Sequence, residues 1–208
     1  MKISLINAGK RFNRDWIFRK VDYTFIEGNS YAITGPNGSG KSTLLQAIGG
    51  ALALSEGEAT YTIDAPARKV EADHAFRNIS IAAPYLELIE EMSVTEFLQF
   101  HQQFKPFISS LTIPQIIELV GLSKASHKQI RFYSSGMKQR VKLAQAIFSH
   151  VPCILLDEPC TNLDAEGIAL YRRLIAEYGK GRMIIVSSND LQEYDFCEHK
   201  LSILDYKK

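Results

Sequence analysis

Residues Tyr31 to Ile48 read YAITGPNGSGKSTLLQAI, and the order of residue types here decides the fold. Tyr31 to Thr34 is a short β-branched and aromatic run, the loop Gly35 to Gly40 is glycine-rich, and Lys41 to Ile48 has helical composition, stopped by Gly49-Gly50. Strand, glycine loop and helix therefore follow one another directly. Gly35 to Ser42 also satisfies G-x-x-x-x-G-K-[ST], for which that context is the confirming one. Glycines let successive backbone N–H groups converge on phosphate oxygens, and the helix adds its positive end. Asn37, Gly38, Ser39 and Gly40 form the cradle, and Lys41 is a point charge for the β and γ phosphates of a nucleotide. Ser42 offers a hydroxyl to Mg²⁺, and Thr43 donates near the α phosphate.

On the N-terminal side, Ile3 to Ile6 and Val21 to Ile26 read as strands, separated by polar turns. On the C-terminal side, Glu58 to Ile63 alternates as a strand does and Ile79 to Ala83 reads as a buried one. From about residue 86 to 150 the spacing turns helical, with Val94, Phe97, Leu98, His101 and Phe104 on one face and Ile113, Ile116, Ile117 and Val120 on another. Met137, Val141, Ala144 and Phe148 mark a further helix, ended by Pro152. The unbroken runs Cys153 to Leu156 and Met183 to Val186, with a helix from about Asp164 to Tyr178 between them, fit central parallel strands covered on both faces. The expectation is one α/β domain over residues 1–208 with a helical subdomain inserted at about 86–150.

Composition narrows the function classes. The 208 residues carry 24 Lys plus Arg against 23 Asp plus Glu, a net charge of +1, with 46% hydrophobic residues. That balance disfavours a chain-wide nucleic-acid or membrane-surface role, and it excludes disorder. The N-terminus MKISLINAGKRF does not read as a signal peptide, and the uncharged stretch Gln46 to Ser55 is about half of a membrane span. The three cysteines, Cys153, Cys160 and Cys197, lack paired metal spacing and the five histidines are scattered. A reduced chain without a cysteine or histidine metal centre is the expectation.

A second acidic motif follows the first buried run: Ile154-Leu155-Leu156-Asp157-Glu158-Pro159. Two carboxylates at the end of a buried strand are costly unless something cationic or catalytic uses them. Beside a phosphate cradle the economical assignment gives Asp157 to the Mg²⁺ shell and Glu158 to the attacking water.

These motifs together resemble the nucleotide-binding subunit of an ATP-binding-cassette (ABC) transporter. Gly35 to Thr43 matches Walker A and Cys153 to Glu158 matches Walker B. Tyr133-Ser134-Ser135-Gly136-Met137, before the basic helix Lys138 to Ala146, resembles the LSGGQ signature, and Thr161-Asn162-Leu163-Asp164 is similar to the D-loop. The resemblance spans essentially the whole chain in the correct order. It implies a P-loop NTPase core with a mostly parallel sheet, an N-terminal antiparallel β-subdomain and a helical insert carrying the signature. It also implies that Ser134, Ser135 and Gly136 face the γ-phosphate held by a second copy or a similar cassette, so that two chains pair head to tail around two ATP and Mg²⁺. For the adenine the family uses an aromatic ahead of the second strand; Phe12 matches best, with Trp16 a second candidate.

Two departures stand out. Where the family places a Q-loop glutamine, this chain has Ala83-Pro84-Tyr85-Leu86-Glu87; Tyr85 and Glu87 are the nearby polar groups. Where the family has a switch histidine, it has Ser188-Asn189-Asp190. An asparagine amide donates a hydrogen bond but cannot take up a proton and become charged, so Asn189 implies slow hydrolysis. The resemblance further implies a separate transmembrane subunit docking near Tyr85 to Met92, where Leu86, Leu88 and Ile89 are apolar, and hence a cytoplasmic protein held peripherally at the membrane. The alternative is a regulatory, nucleotide-gated clamp. Leu122 to Pro152 holds Lys124, Lys128, Arg131, Lys138, Arg140 and Lys142 without an acid, but no aromatic interleaving, so no nucleic-acid partner is expected.

Overall fold

The structure is a computed structural model that describes residues 1–63 and 68–207. In chain order it comprises β1 (Lys2–Phe12), β2 (Asp15–Ile26), β3 (Ser30–Thr34), α1 (Lys41–Ile48), β4 (Glu56–Ile63), β5 (Arg68–Val70) and β6 (Ile79–Ala82). There follow α2 (Val94–Gln102), α3 (Ile113–Leu119), α4 (Ser135–Ile147), β7 (Cys153–Asp157), α5 (Ala165–Tyr178), β8 (Met183–Ser187), α6 (Leu191–Tyr194) and β9 (His199–Ser202).

The strands form two sheets. Five of them are ordered β6-β7-β8-β3-β9, and every neighbouring pair in this sheet is parallel. The other sheet, ordered β2-β1-β4-β5, is antiparallel. The apolar runs of β7 and β8 have a simple cause. Alternate side chains of one strand enter opposite cores: Ile154, Leu156, Ile184 and Val186 pack with α2 to α5, whereas Cys153, Leu155, Met183 and Ile185 pack with α1 and the antiparallel sheet. The same parity puts the side chains of Asp157 and Ser187, neighbours in register, on the α1 face.

Several expectations need correction. The first two strands run far beyond Ile3–Ile6 and Val21–Ile26, because a hairpin turning at Asn13 and Arg14 pairs Phe12 with Asp15. β1 absorbs the extra length through register shifts between Leu5 and Arg11, and Asn7 and Asn13 take positive φ. Phe104 is not on the buried face of α2: the helix ends at Gln102, and Phe104 is exposed against Phe100. α4 ends at Ile147, short of Pro152, with Phe148 as its cap. It also begins earlier than expected, at Ser135, with Ser134 as N-cap accepting from the Met137 N–H. Serine at that position satisfies a donor that the first turn leaves open.

Candidate functional site

The glycine loop between β3 and α1 is shaped by left-handed backbone. Gly38 and Gly40 have φ of +73° and +99°, a region only glycine enters without penalty. A Cβ on Gly40 would lie 2.3 Å from Ile17 Cγ2, so β2 presses directly on the loop. A further bond, from the Ser39 N–H to the Pro36 carbonyl at 3.1 Å, closes the turn. Lys41 is buried, with its Nζ 3.3 Å from the Pro36 carbonyl. A cleft of about 230 Å³ is lined by Asn37, Gly38, Ser39, Gly40, Lys41, Ser42, Thr43, Glu158 and Ile17. Thus the cradle residues and Glu158 come together as the sequence predicted. Ile17 was missed, since a lone β-branched residue in a strand carries no sequence signal.

Asp157 stands behind this cleft, 1% exposed, with Oδ1 unpartnered; Ser187 Oγ, in register with it, is unpartnered too. A buried carboxylate oxygen without a donor is costly. This pair of oxygens on the α1 face therefore suits a hard divalent cation, and Ser42 is on the same cleft. Glu158 has φ +43° and its N–H donates to the Ser187 carbonyl at 2.9 Å, which aims it out of the strand end.

Asn189 Nδ2 donates to Oδ1 of Asn37 at 3.1 Å, joining the loop after β8 to the cradle. Tyr85 lies in the loop after β6, where partial burial and the negative charge of Asp157 push its phenol up to about 12. The sequence left Tyr85 and Glu87 open; the electrostatics couple Tyr85 to Asp157.

Phe12 does not line the cleft. It is half exposed at the hairpin tip, with Lys10 Nζ 5.1 Å from its ring. Trp16 is covered by guanidinium groups, with Arg19 at 4.2 Å and Arg11 at 5.6 Å.

A second cleft, of about 350 Å³, is formed by Ser134, Ser135, Gly136, Met137 and Arg140 of α4 with Asn162, Leu163 and Asp164. A Cβ on Gly136 would be 2.9 Å from the Asn162 carbonyl, so only glycine permits this approach. The start of α4, where a helix leaves backbone N–H groups open, borders this cleft. The cations of α4 are largely engaged: Lys138 binds Glu90 at 2.5 Å, Arg140 lies 3.8 Å from Asp164, and Lys142 donates to the Ala83 and Pro84 carbonyls at 3.2 and 2.8 Å. The expected apolar docking patch is smaller than the sequence implied. Leu88 is buried in the core, leaving Tyr85 and Ile89 exposed. A further cavity, of about 560 Å³, lies at the opposite end of the sheet, beside Gly28–Ser30 and Arg182, and holds none of these motifs.

A parallel sheet with a phosphate cradle after its β3 strand and acidic residues after its β7 strand defines a P-loop nucleotide-binding protein. The ABC transporter family model matches residues 18–161, and the chain belongs to that family as an ATP-binding subunit. Among curated proteins it is 30% identical to the uncharacterized ABC transporter ATP-binding protein YybJ of Bacillus subtilis, covering 92% of this chain and 87% of that one. It is 31% identical to the cytochrome c biogenesis ATP-binding export protein CcmA of Mesorhizobium japonicum, over 92% of both chains. A solved dimeric ATP-binding cassette in a post-hydrolysis state, bound to ADP and Pi, superposes with a TM-score of 0.80 at 24% identity, covering 96% of this chain and 93% of that one. Among the described residues no helix is long and apolar enough to cross a membrane.

Proposed function

We propose that this chain is the ATP-hydrolysing motor of a transporter, pairing head to tail with a second cassette around two Mg-ATP and driving a transmembrane subunit on another polypeptide. One observation carries the reading. The phosphate cradle with Glu158 and the signature cleft with Asn162 are separate on one protomer and share no lining residue. The start of α4 is therefore free to face a phosphate held by another copy. Glu158 takes a proton from the attacking water, Lys41 and the cradle amides hold the β and γ phosphates, and Ser134, Ser135 and Gly136 complete the shell from the partner. Bound Mg²⁺, held by Ser42 and Asp157, supplies charge neutralisation across the phosphates. Residues 86–150 form the helical subdomain that presents the signature, and Tyr85 to Met92 is the docking segment at the cytoplasmic face of the membrane.

Dimerisation and phosphate release by the purified chain test this reading. Glu158→Gln with Mg-ATP is expected to elute as a dimer on size exclusion, and the wild type to release phosphate. A monomer under those conditions would overturn the head-to-tail arrangement. The hydrogen bond between Asn189 and Asn37 favours a second reading, a nucleotide-gated clamp with weak hydrolysis, because neither amide can take up a proton and become charged. Dimerisation of the wild type without turnover selects it.

A further inference from the structure

Among the described residues, three charged side chains are buried: Lys41, Asp157 and Glu193. The first two belong to the nucleotide cleft. Glu193 is on α6, beyond the loop that carries Asn189, and is 4% exposed. A carboxylate at that depth needs donors, and one comes from another segment. Its Oε1 accepts from the Cys160 N–H at 2.7 Å, while the Glu193 N–H donates to the Asp190 carbonyl at 3.1 Å. Ser188 Oγ in turn accepts from the Asp190 N–H at 2.9 Å. From the other side, the hydroxyl of fully buried Tyr171 on α5 donates to the Glu193 carbonyl at 2.8 Å.

The two segments that Glu193 joins are the ones with chemistry. Cys160 lies between Glu158 and Asn162, which have φ of +43° and +65°. A non-glycine residue in that region costs about 1 kcal/mol or more and persists only where its surroundings hold it. Ser188 directly precedes Asn189. We infer that Glu193 is a positioning residue for hydrolysis: its carboxylate ties the Cys160 amide to α6, whose cap Asp190 is bonded to both Glu193 and Ser188, and so holds Glu158 on one loop and Asn189 on the other in a fixed relation. This inference rests on the roles proposed above for those two residues. The cradle amides that bind phosphate belong to a different segment, so the tie acts on the chemical step and not on ATP affinity.

The experiment uses the full chain with Glu193→Ala, Glu193→Gln and Ser188→Ala, measuring phosphate release, equilibrium ATP binding and the thermal midpoint. Glutamine keeps an oxygen for the Cys160 amide. Expected is a fall in kcat of about tenfold in Glu193→Ala with KM and ATP affinity within about twofold of wild type, and recovery of most of kcat in Glu193→Gln. Ser188→Ala, which removes the acceptor of the Asp190 N–H and leaves the Cys160 bond to Glu193 in place, should lower kcat less, again at constant KM; it carries the test if Glu193→Ala does not fold. Wild-type kcat in both alanine variants would overturn the inference, as would Glu193→Gln failing as badly as Glu193→Ala or a kcat loss matched by a rise in KM. Absence of turnover in the wild type would instead overturn the hydrolytic reading on which the inference stands.

Discussion

The Asn189 side-chain amide donates to Oδ1 of Asn37 at 3.1 Å, and this bond latches the loop after β8 onto the phosphate cradle. Where a histidine would accept and return a proton, the amide is fixed as donor on one side and acceptor on the other. Hydrolysis should therefore run below the enzyme median of about 10 s⁻¹. Asn189→His should raise kcat, and Asn37→Ala should free the loop without restoring a proton carrier, leaving kcat low. Steady-state phosphate release compares the three, and a wild type at or above that median would sink the idea.

Asp157 makes a sharper test of the cation site. Its Oδ1 is buried without a donor, as is Ser187 Oγ beside it. Asp157→Asn removes a buried charge, so in EDTA the variant should be at least as stable as wild type, by about 1 kcal/mol. In the presence of ATP it should need about tenfold more Mg²⁺ for half-maximal turnover. Lower stability in EDTA would mean that the carboxylate has a structural partner and that its solitude is not a signature of metal binding.

The cradle, the two acidic residues and the sheet class were legible because each is written in consecutive residues: Gly35 to Thr43 and Cys153 to Glu158 each form one uninterrupted segment. What escaped depends on contacts remote in sequence. Ile17 enters the cleft only because β2 crosses over Gly40. Glu193 reads as a solvated helix residue until Cys160, 33 positions away, is seen to donate to it. Phe12 was chosen from the motif around it, and the sequence did not show that the hairpin places it half exposed at the tip, outside the cleft that the cradle lines. Leu88 was a docking candidate because apolar residues in a loop hint at a partner; its side chain packs in the core.

The loop after β6 is tied to α4 by lysines. Lys142 caps the Ala83 and Pro84 carbonyls and Lys138 pairs with Glu90. Lys142→Met should speed amide exchange across residues 84–92 by several-fold while costing only about 1 kcal/mol of global stability. Hydrogen exchange with mass readout checks both quantities. Unchanged exchange in that segment would show that packing of Leu88, not the lysine, orders the loop.

Tyr61 joins the antiparallel sheet to the end of α1. Its buried hydroxyl donates toward the Ala47 and Ile48 carbonyls at 3.3 and 3.1 Å, the groups that a helix C-terminus leaves open. Tyr61→Phe keeps the ring and removes the donor from the Ile48 carbonyl, while Ala47 keeps the Gly50 N–H, at a cost of about 1 kcal/mol. Chemical denaturation measures it; a loss under about 0.3 kcal/mol would mean that water replaces the phenol.

Acid stability should be governed in part by His101. Ser149 gives its hydroxyl proton to the Gln145 carbonyl at 2.5 Å, so its oxygen accepts from His101 Nε2 at 2.9 Å. Burial, with the nearby Lys105 charge, lowers its pKa from 6.5 to about 4. Between those values the unfolded chain binds more protons than the folded one, so stability rises with pH across that window and is lost as pH falls through it. The loss on going from pH 7 to pH 4 is on the order of 3 kcal/mol from this residue. His101→Gln cannot titrate, and its amide can still donate to Ser149. Its urea midpoint should therefore fall less steeply below pH 6.5 than that of the wild type, even if it starts lower at neutrality. Parallel curves for the two proteins would show that His101 protonates as easily in the fold as outside it.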